Sequence, residues 1–347
     1  MRKLVTVRTI SKISPIKDAD AIEAVSIDGW TVVAQKGIHT EGDLVVYFEI
    51  DSFLPSSDSR FNSFMKFGTQ IFDGVLGHRV KTKRLRGVYS QGIIIPVAEF
   101  PEITEVDFEK DYSELLGIVK YEKPEVVGNN GDAKGTFPSF LRKSEQERIQ
   151  NLYNKLSTSE LAEEYFVGTL KMDGSSITVF YDADSDTLGV CSRNQELKLD
   201  LEVPLPDQGK FIQGAINSDL LAKVKRLSEI YGGSYAIQGE LVGAGIQGGF
   251  EKFDTYQVFA YNIFDIKTGD FVSFGMFEAM AEEIGLQTVP VIFEATQILK
   301  QPLETILEMA DGAGLRAAYR EGIVWKQVVG GNNQFKAISN KYLSKEK

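Results

Sequence analysis

The first hundred residues consist of short alternating or apolar runs, and this pattern limits the fold more than any other feature of the chain. One pair of runs is separated only by Asp28-Gly29, which is typical of a tight β-hairpin. Several short strands with Gly and Asp turns predict a small barrel, for which the OB-fold is the natural candidate. The runs are Leu4–Ile10, Ala24–Ile27, Trp30–Ala34, Leu44–Ile50 and Gly92–Pro96.

The rest of the chain mixes strands and helices. Tyr165–Leu170 predicts a strand that leads into Lys171, and Ser176–Tyr181 predicts a strand that leaves it. The Ser144-x-x-Glu147 spacing is that of a capping box and predicts the start of a helix. Residues 215–231 and 276–285 also have helical character. We therefore predict an α+β chain with an N-terminal domain at 1–105, a polar linker at 106–135 and a second domain at 136–347.

Composition excludes several kinds of chemistry. The single cysteine, Cys191, rules out a disulfide framework and a cysteine-cluster metal site. Only two histidines, His39 and His78, are present, which disfavours a Ser-His-Asp triad and most zinc-dependent hydrolysis.

No apolar run reaches the length of a membrane span, so we expect a cytoplasmic protein without a membrane partner. The net charge of −11 argues against nucleic acid unless the chain carries a local basic surface.

Lys171-Met172-Asp173-Gly174 is the first candidate for catalysis. A lysine amine held between two strands acts as a nucleophile when it is neutral, and burial or a nearby cation favours that form. An adjacent carboxylate can hold a metal ion or orient the amine, and a glycine permits a tight turn. Taken alone, the motif equally describes an exposed turn.

Further motifs follow in a fixed order, and together they resemble those of the covalent nucleotidyltransferases, which include DNA ligases, RNA ligases and mRNA capping enzymes. The resemblance implies a nucleotidyltransferase domain in which Lys171 becomes nucleotidylated. It covers about half of the chain, from Lys171 to Lys336. The later motifs are Ser192–Asn194, Gln238–Val242, Tyr261–Asp265, Glu321–Lys326 and Gln334–Ala337.

The resemblance and the chemistry of the side chains assign roles for ATP and Mg²⁺ (or Mn²⁺). Lys326 and Lys336 would join Lys171 as catalytic residues by neutralising phosphate charge. The predicted metal ligands are Asp173, Glu240 and Glu321. The predicted nucleotide-binding residues are Arg148, Leu170, Asp173, Gly174, Arg193, Glu240, which would bind the ribose, Tyr261, which would stack on adenine, and Val324. The last motif usually has Lys-x-Lys, but Ile338 stands at its second position and the next lysine is Lys341.

Domain order separates members of this superfamily. DNA ligases and capping enzymes generally place an OB domain after the catalytic domain, whereas here residues 337–347 are all that follow Lys336. The chain instead resembles the RNA ligase 5 family, also in Gly42–Pro55, His78–Gly87, Ser90–Gly92 and Lys143–Asn151. That resemblance implies an enzyme that seals 3′-hydroxyl and 5′-phosphate ends at nicks in duplexes with RNA on the 3′-hydroxyl side. We also expect a monomer that acts in RNA repair.

A local basic surface is present in the N-terminal part. In a continuous strand, Arg79, Lys81 and Lys83 would share one face and follow a phosphate backbone, so we predict RNA binding there. The alternative is a solvated edge strand protected by lysines. The full set of predicted RNA-binding residues is Arg79, Lys81, Lys83, Arg84 and Arg86.

The predicted reaction has three steps. Lys171 attacks ATP and becomes lysyl-AMP, AMP moves to a 5′-phosphate, and a 3′-hydroxyl displaces AMP. The alternative enzymes are a DNA ligase and a GTP-dependent capping enzyme. A non-enzymatic alternative is an RNA-binding OB protein with a decayed catalytic domain.

Overall fold

A computed structural model describes residues 2–122 and 132–345. The chain divides into two compact units. The first comprises Met1–Pro124, Ile149–Asn154 and Leu343–Lys347, and the second comprises Glu125–Arg148 and Lys155–Tyr342. Within the described ranges, none of the helices combines the length and the hydropathy needed to cross a membrane.

The first unit is built of short antiparallel strands. The sheets have the orders β1-β5-β11, β2-β3-β4, β9-β10 and β12-β6-β8-β7. The predicted hairpin is confirmed, because Ile27 pairs with Trp30 and Asp28 takes the left-handed conformation that this turn requires. The strands are β1 Val5–Thr9, β2 Lys12–Pro15, β3 Ile22–Ile27, β4 Trp30–Gln35, β5 Leu44–Phe48, β6 Ser52–Pro55, β7 Gln70–Phe72, β8 Val75–Arg79, β9 Lys83–Leu85, β10 Val88–Ser90, β11 Ile93–Pro96 and β12 Val119–Lys120.

The core of the first unit extends into the segment predicted to be a linker. Tyr112, Leu116 and Ile118 are buried among the apolar side chains of β1, β5 and β6. β12 adds a strand to β6, with Val119 opposite Phe53. Residues 106–122 are therefore part of the folded unit. Their few apolar side chains pack in its core, although the average composition of the segment is polar. Residues 127–132, on which the linker prediction depended, lie mostly outside the described residues.

The predicted capping box is not observed. Glu147 and Arg148 form a short strand, β14 (Glu147–Arg148), parallel to a later strand, and the helix begins only at Ile149. The Ser144 hydroxyl accepts hydrogen bonds from Gln146 Nε2 at 2.7 Å and Asn262 Nδ2 at 2.9 Å, rather than capping a helix. Tertiary pairing overrides the local helix signal here.

The second unit contains two larger sheets. The seven-stranded sheet has the order β13-β18-β17-β16-β19-β20-β21, and the five-stranded sheet has the order β14-β24-β23-β15-β22. The remaining strands are β13 Ala133–Thr136, β15 Phe166–Lys171, β16 Ser175–Asp182, β17 Thr187–Cys191, β18 Gln195–Leu197, β19 Tyr235–Val242, β20 Gln257–Asp265, β21 Asp270–Phe271, β22 Val291–Thr296, β23 Gly322–Gln327 and β24 Gln334–Ile338.

Helices cover one face of the seven-stranded sheet. Apolar residues of α3, α4 and α5 pack on β16, β19 and β20 in the largest core. The segment predicted as one helix at 215–231 is two helices, because Asp219 takes a left-handed conformation between them. The helices are α1 Asn62–Met65, α2 Ile149–Leu156, α3 Lys210–Asn217, α4 Leu220–Tyr231, α5 Phe274–Glu283, α6 Leu303–Met309 and α7 Asn340–Lys345.

A smaller core joins the two sheets of the second unit. Leu170 and Met172, from the end of β15, pack with Val242 and Phe259 of the other sheet. The chain crosses between the sheets at residues 172–174, directly after Lys171. The candidate nucleophile is thus held where both sheets meet.

Candidate active site

Lys171 is the last residue of β15 and lies beside Glu321. Its Nζ donates to Glu321 Oε2 at 2.7 Å, and both side chains are largely buried. Lys171 pairs across the sheet with Gly322, so β23 fixes the glutamate next to the lysine. A Cβ at Gly322 would lie 2.2 Å from the Ala337 carbonyl oxygen, which explains why a glycine follows Glu321.

Three carboxylates surround the Lys171 amine. Burial lowers the pKa of Lys171, but Glu321 and then Glu240 outweigh it and raise the pKa above the ordinary lysine value. Asp173 acts in the same direction. Without ligands the site therefore favours the ammonium form, whereas attack on phosphorus requires the neutral amine. Burial lowers the pKa of Lys171, as predicted, but the carboxylates raise it by more.

Glu240 has a strongly raised pKa, chiefly because it is removed from solvent. Desolvation raises its pKa to about 8, Lys171 opposes the shift, and Glu321 adds to it. Its Oε1 accepts a hydrogen bond from the Gly174 amide at 3.0 Å. A Cβ at Gly174 would lie 2.4 Å from the Leu241 carbonyl oxygen, so the turn after Lys171 can approach β19 only with glycine.

Among the residues that the structure describes, no three His, Cys, Asp or Glu side chains form a preassembled metal site. The donor set nevertheless fits a hard cation, because Asp173, Glu240 and Glu321 are oxygen donors that all act on one ammonium group.

Tyr261 and Lys326 lie together on the other side of the site. The hydroxyls of Tyr261 and Ser176 are hydrogen-bonded at 3.1 Å, and burial raises the pKa of Tyr261. Lys326 is 2% exposed, and its Nζ donates to the Tyr261 carbonyl and to Asn262 Oδ1. Desolvation lowers the pKa of Lys326 to about 7.

The position of Lys326 differs from that expected of a residue beside the reacting phosphate. Four positions along β23 separate it from Gly322, which pairs with Lys171, or about 13 Å of extended strand. Its ammonium faces a small pocket lined by Tyr261, Phe274 and Phe277 among others. Here Lys326 contacts the predicted adenine-stacking residue rather than the carboxylates.

Val324, Lys336 and Arg148 form a row across the five-stranded sheet. Val324 pairs with Lys336, and Lys336 pairs with Arg148, so the three side chains share one face. That face also carries Lys171, by the same register. Ile338 is buried, and Lys341 lies on α7 with its ammonium 3.5 Å from Asp311. Neither residue supplies a second lysine to this row.

Arg193 lies at an exposed edge of the site. Its Nη2 is 3.3 Å from Glu145 Oε1, and its charge acts on the Tyr261 hydroxyl to lower its pKa against the larger effect of burial. Arg193 is therefore near enough to Tyr261 for its charge to act on the hydroxyl. Leu170 is buried beneath the nucleophile in the core that joins the sheets.

Sequence reasoning missed Tyr342, which contacts Asp173, and the buried Glu251, whose pKa the Asp173 backbone affects. The Tyr342 hydroxyl donates to Asp173 Oδ2 at 2.9 Å, although 169 positions separate them. Glu251 is buried, and burial raises its pKa while the backbone amides of Arg316 and Asp173 oppose the shift. No motif contains either residue, so only the folded arrangement reveals them.

The predicted RNA-binding cations lie in the first unit on two separate strands. The prediction of one continuous strand is wrong, because β8 ends at Arg79 and β9 begins at Lys83. Arg79 bonds to Asp51 at 2.8 Å and lies over the Tyr121 ring. Arg84 and Arg86 are exposed on the β9–β10 hairpin. The cluster therefore contains one paired arginine and a group of more accessible cations.

Comparisons with known proteins agree with both parts of the chain. An OB-fold domain family matches residues 4–97, and the RNA ligase family matches residues 164–342. No curated protein sequence matches. The first match confirms the predicted OB-fold, and the second confirms the predicted nucleotidyltransferase fold.

Solved structures of a Naegleria gruberi RNA ligase are similar over the whole length. The structure with PPi is 36% identical, with a TM-score of 0.88, and the match covers 100% of this chain and 99% of that one. Two variant structures, one with AMP and Mn and one with ATP and Mn, are each 35% identical with a TM-score of 0.88. Each of those matches covers 99% of both chains.

Proposed function

This chain belongs to the RNA ligase family, and from that premise we propose that Lys171 carries AMP during ATP-dependent joining of RNA ends. The observation that carries the proposal is the Lys171 amine, which lies 2.7 Å from Glu321 and within the field of Glu240 and Asp173. The resemblance extends to relatives whose structures contain ATP, AMP, PPi and Mn.

In the first step, the Lys171 amine attacks the α-phosphorus of ATP. A nitrogen–phosphorus bond forms, the bond to the bridging oxygen breaks, and pyrophosphate leaves. The amine must first lose a proton, and Glu321 Oε2 is the acceptor in direct contact with Nζ. The equilibrium opposes this transfer until the negative charge of the three carboxylates is offset. Asp173, Glu240 and Glu321 would hold Mg²⁺ or Mn²⁺, which would supply that positive charge and stabilise phosphate oxygens.

The sheet face around Lys171 supports nucleotide binding. Lys336 and Arg148 would bind phosphate oxygens, because both lie on the face that carries Lys171. Tyr261 would stack on adenine with Val324 as an apolar wall, and Leu170 would support Tyr261 from the core that joins the sheets. Gly174 holds Glu240 near the ribose position through its amide, and Arg193 would contact a phosphate at the exposed edge.

Lys326 acts on the nucleotide through Tyr261. Its buried ammonium binds the Tyr261 carbonyl and Asn262, which fixes the strand that carries the stacking ring. This arrangement supports a positioning role for Lys326 instead of direct neutralisation of a phosphate.

In the second step, AMP moves from Lys171 to the 5′-phosphate of an RNA strand. In the third, a 3′-hydroxyl attacks that phosphate, the new phosphodiester bond forms and AMP leaves. We infer that the ends lie at a nick in a duplex with RNA on the 3′-hydroxyl side, and that the accessible cations Lys81, Lys83, Arg84 and Arg86 bind its backbone. The chain would act as a cytoplasmic monomer in RNA repair.

Intact mass after incubation with ATP and Mg²⁺ tests the proposal. We expect a gain of one AMP in the wild type and in Lys267→Met, an exposed turn lysine, but none in Lys171→Met. Pyrophosphate should strip the AMP, and GTP should not replace ATP, which separates the enzyme from a capping enzyme. Absence of AMP transfer by folded wild-type protein, both as prepared and after pyrophosphate treatment, would contradict the proposal.

A second experiment separates RNA ligase from DNA ligase. Two nicked duplexes that differ only in ribose or deoxyribose at the 3′-hydroxyl side should be compared for sealing. We expect the ribose substrate to be sealed faster, and equal or reversed rates would favour a DNA ligase. A salt-dependent RNA binder that never acquires AMP would instead fit the decayed-enzyme alternative.

A further inference from the structure

Phe67 is a large aromatic side chain that the first unit leaves in solvent. Its side chain is 52% exposed, whereas the neighbouring Phe61 is fully buried. The backbone around it is fixed, because the Phe67 amide donates to the Phe64 carbonyl at 3.0 Å and His78 Nδ1 donates to the Gly68 carbonyl at 2.6 Å. The ring is therefore presented by an ordered segment.

Lysines flank this ring. Lys83 Nζ lies 4.5 Å from the centre of the Phe67 ring, and Lys66 Nζ lies 5.2 Å from it. Among the described residues, neither lysine forms an ion pair with a carboxylate. Burial and then the charge of Lys81 lower the pKa of Lys83. An anion beside Lys83 would offset both effects.

The apolar surface continues onto the β7–β8 hairpin. Ile71 and Leu76 are cross-strand partners, and they are 73% and 49% exposed. β7 is an edge strand of its sheet. An exposed aromatic ring with two lysine ammonium groups nearby and exposed apolar residues on the following hairpin matches the chemistry of an unpaired nucleotide, which offers a flat base and a phosphate.

We propose that Phe67, between Lys66 and Lys83, stacks on an unpaired base of the RNA strand while the two lysines bind the adjacent phosphates. A base inside a duplex is already stacked on both faces, so Phe67 would bind an unpaired base in a single-stranded segment that flanks the nicked duplex. The inference rests on the proposed function, because it assumes that RNA is the substrate.

Binding of a short single-stranded RNA and of a blunt duplex of the same length to the full-length protein tests the proposal. Phe67→Ala should weaken single-strand binding by about fivefold to a hundredfold, the range for loss of one base–aromatic stack. Duplex binding should be unchanged. Phe67→Trp should restore single-strand binding, because it keeps the stacking surface and would not rescue a merely unfolded segment.

Phe108→Ala is the matched control. Phe108 is 51% exposed in the same unit, but it lies between the acidic residues Asp107 and Glu109. We expect it to bind both RNAs like the wild type. Equal weakening by both alanine variants, equal losses on single strand and duplex, or no loss with Phe67→Ala would each overturn the proposal.

Two further measurements separate this role of Phe67 from a defect in AMP transfer and from self-association. Acquisition of AMP by Phe67→Ala should match the wild type, so loss of single-strand binding with normal AMP transfer separates this inference from the proposed function. The Phe67→Ala variant should sediment like the wild type. If the wild type self-associates and the variant does not, the surface binds a second copy of the chain and the RNA inference is wrong.

Discussion

Lys171 Nζ and Glu321 Oε2 are 2.7 Å apart, although 150 positions of sequence separate the two residues. The pair lies among carboxylates that hold the amine in its charged form. The ammonium and a divalent cation would therefore compete for the same negative charge. This competition has a measurable consequence.

Removal of the Lys171 charge should strengthen metal binding to the protein without nucleotide. We expect Lys171→Met to bind Mn²⁺ severalfold more tightly than the wild type, because Asp173, Glu240 and Glu321 then lack their cation. Titration calorimetry measures the affinity, and Lys267→Met is the control. Weaker or equal Mn²⁺ binding by Lys171→Met would show that these carboxylates do not form the metal site.

The turn after the nucleophile should not tolerate a side chain. In Gly174→Ala the new Cβ would meet the Leu241 carbonyl oxygen at 2.4 Å and Glu240 Cγ at 2.7 Å, so the turn must shift. We expect the rate of AMP transfer to Lys171 to fall by about 10²-fold, the effect of misplacing a reacting group by about 1 Å. Single-turnover AMP transfer measures the rate. Gly135→Ala, where nothing lies within 4 Å of the new Cβ, should retain the wild-type rate.

Lys326 should make stability depend on pH. Its pKa is about 7 in the folded protein and 10.5 when unfolded, so between these values the unfolded state binds the extra proton. The free energy of unfolding therefore rises with pH in that window, by up to about 1.4 kcal/mol per pH unit. The penalty for burying the charge is fully present below pH 7 and disappears above the unfolded pKa.

Lys326→Met removes this titration. Urea unfolding of both proteins at several pH values in the window should show the wild type gaining stability relative to the variant as pH rises. A constant difference between the two proteins would mean that Lys326 stays charged in the fold. The variant should also weaken ATP binding, because Tyr261 loses the contact to its carbonyl.

The arginines of the basic cluster should differ in their effects. Arg84→Gln and Arg86→Gln should each reduce the salt slope of RNA binding by about one, because both side chains are exposed. Arg79→Gln should chiefly lower the unfolding temperature, because Arg79 is bound to Asp51 and lies over Tyr121. Salt titrations of RNA affinity and thermal unfolding distinguish the two classes. If Arg79→Gln alone abolished the salt dependence of RNA affinity, Arg79 would be the RNA-binding residue and the assignment would be reversed.

Local signals predicted the fold well where the chain makes short-range pairs. The Asp28-Gly29 hairpin and the strands on both sides of Lys171 are confirmed, since turn chemistry and alternation depend on neighbouring residues. The helix start predicted at Ser144 is wrong, because Arg148 pairs with a strand that follows almost two hundred residues later. The shared strand face expected for Arg79, Lys81 and Lys83 is not observed for a similar reason. Arg79 and Lys83 each pair with a different strand.

The sequence by itself determined the family, the order of the two matched domains and the choice of Lys171 as the candidate nucleophile, because ordered motifs contain the residue types that the chemistry needs. The tertiary structure decided the protonation of the site, since Glu240, Glu321 and Asp173 act on Lys171 through distances that no spacing encodes. It also placed Tyr342 on Asp173 and turned Lys326 toward Tyr261. Electrostatic coupling depends on separation in space, and only folding sets that separation.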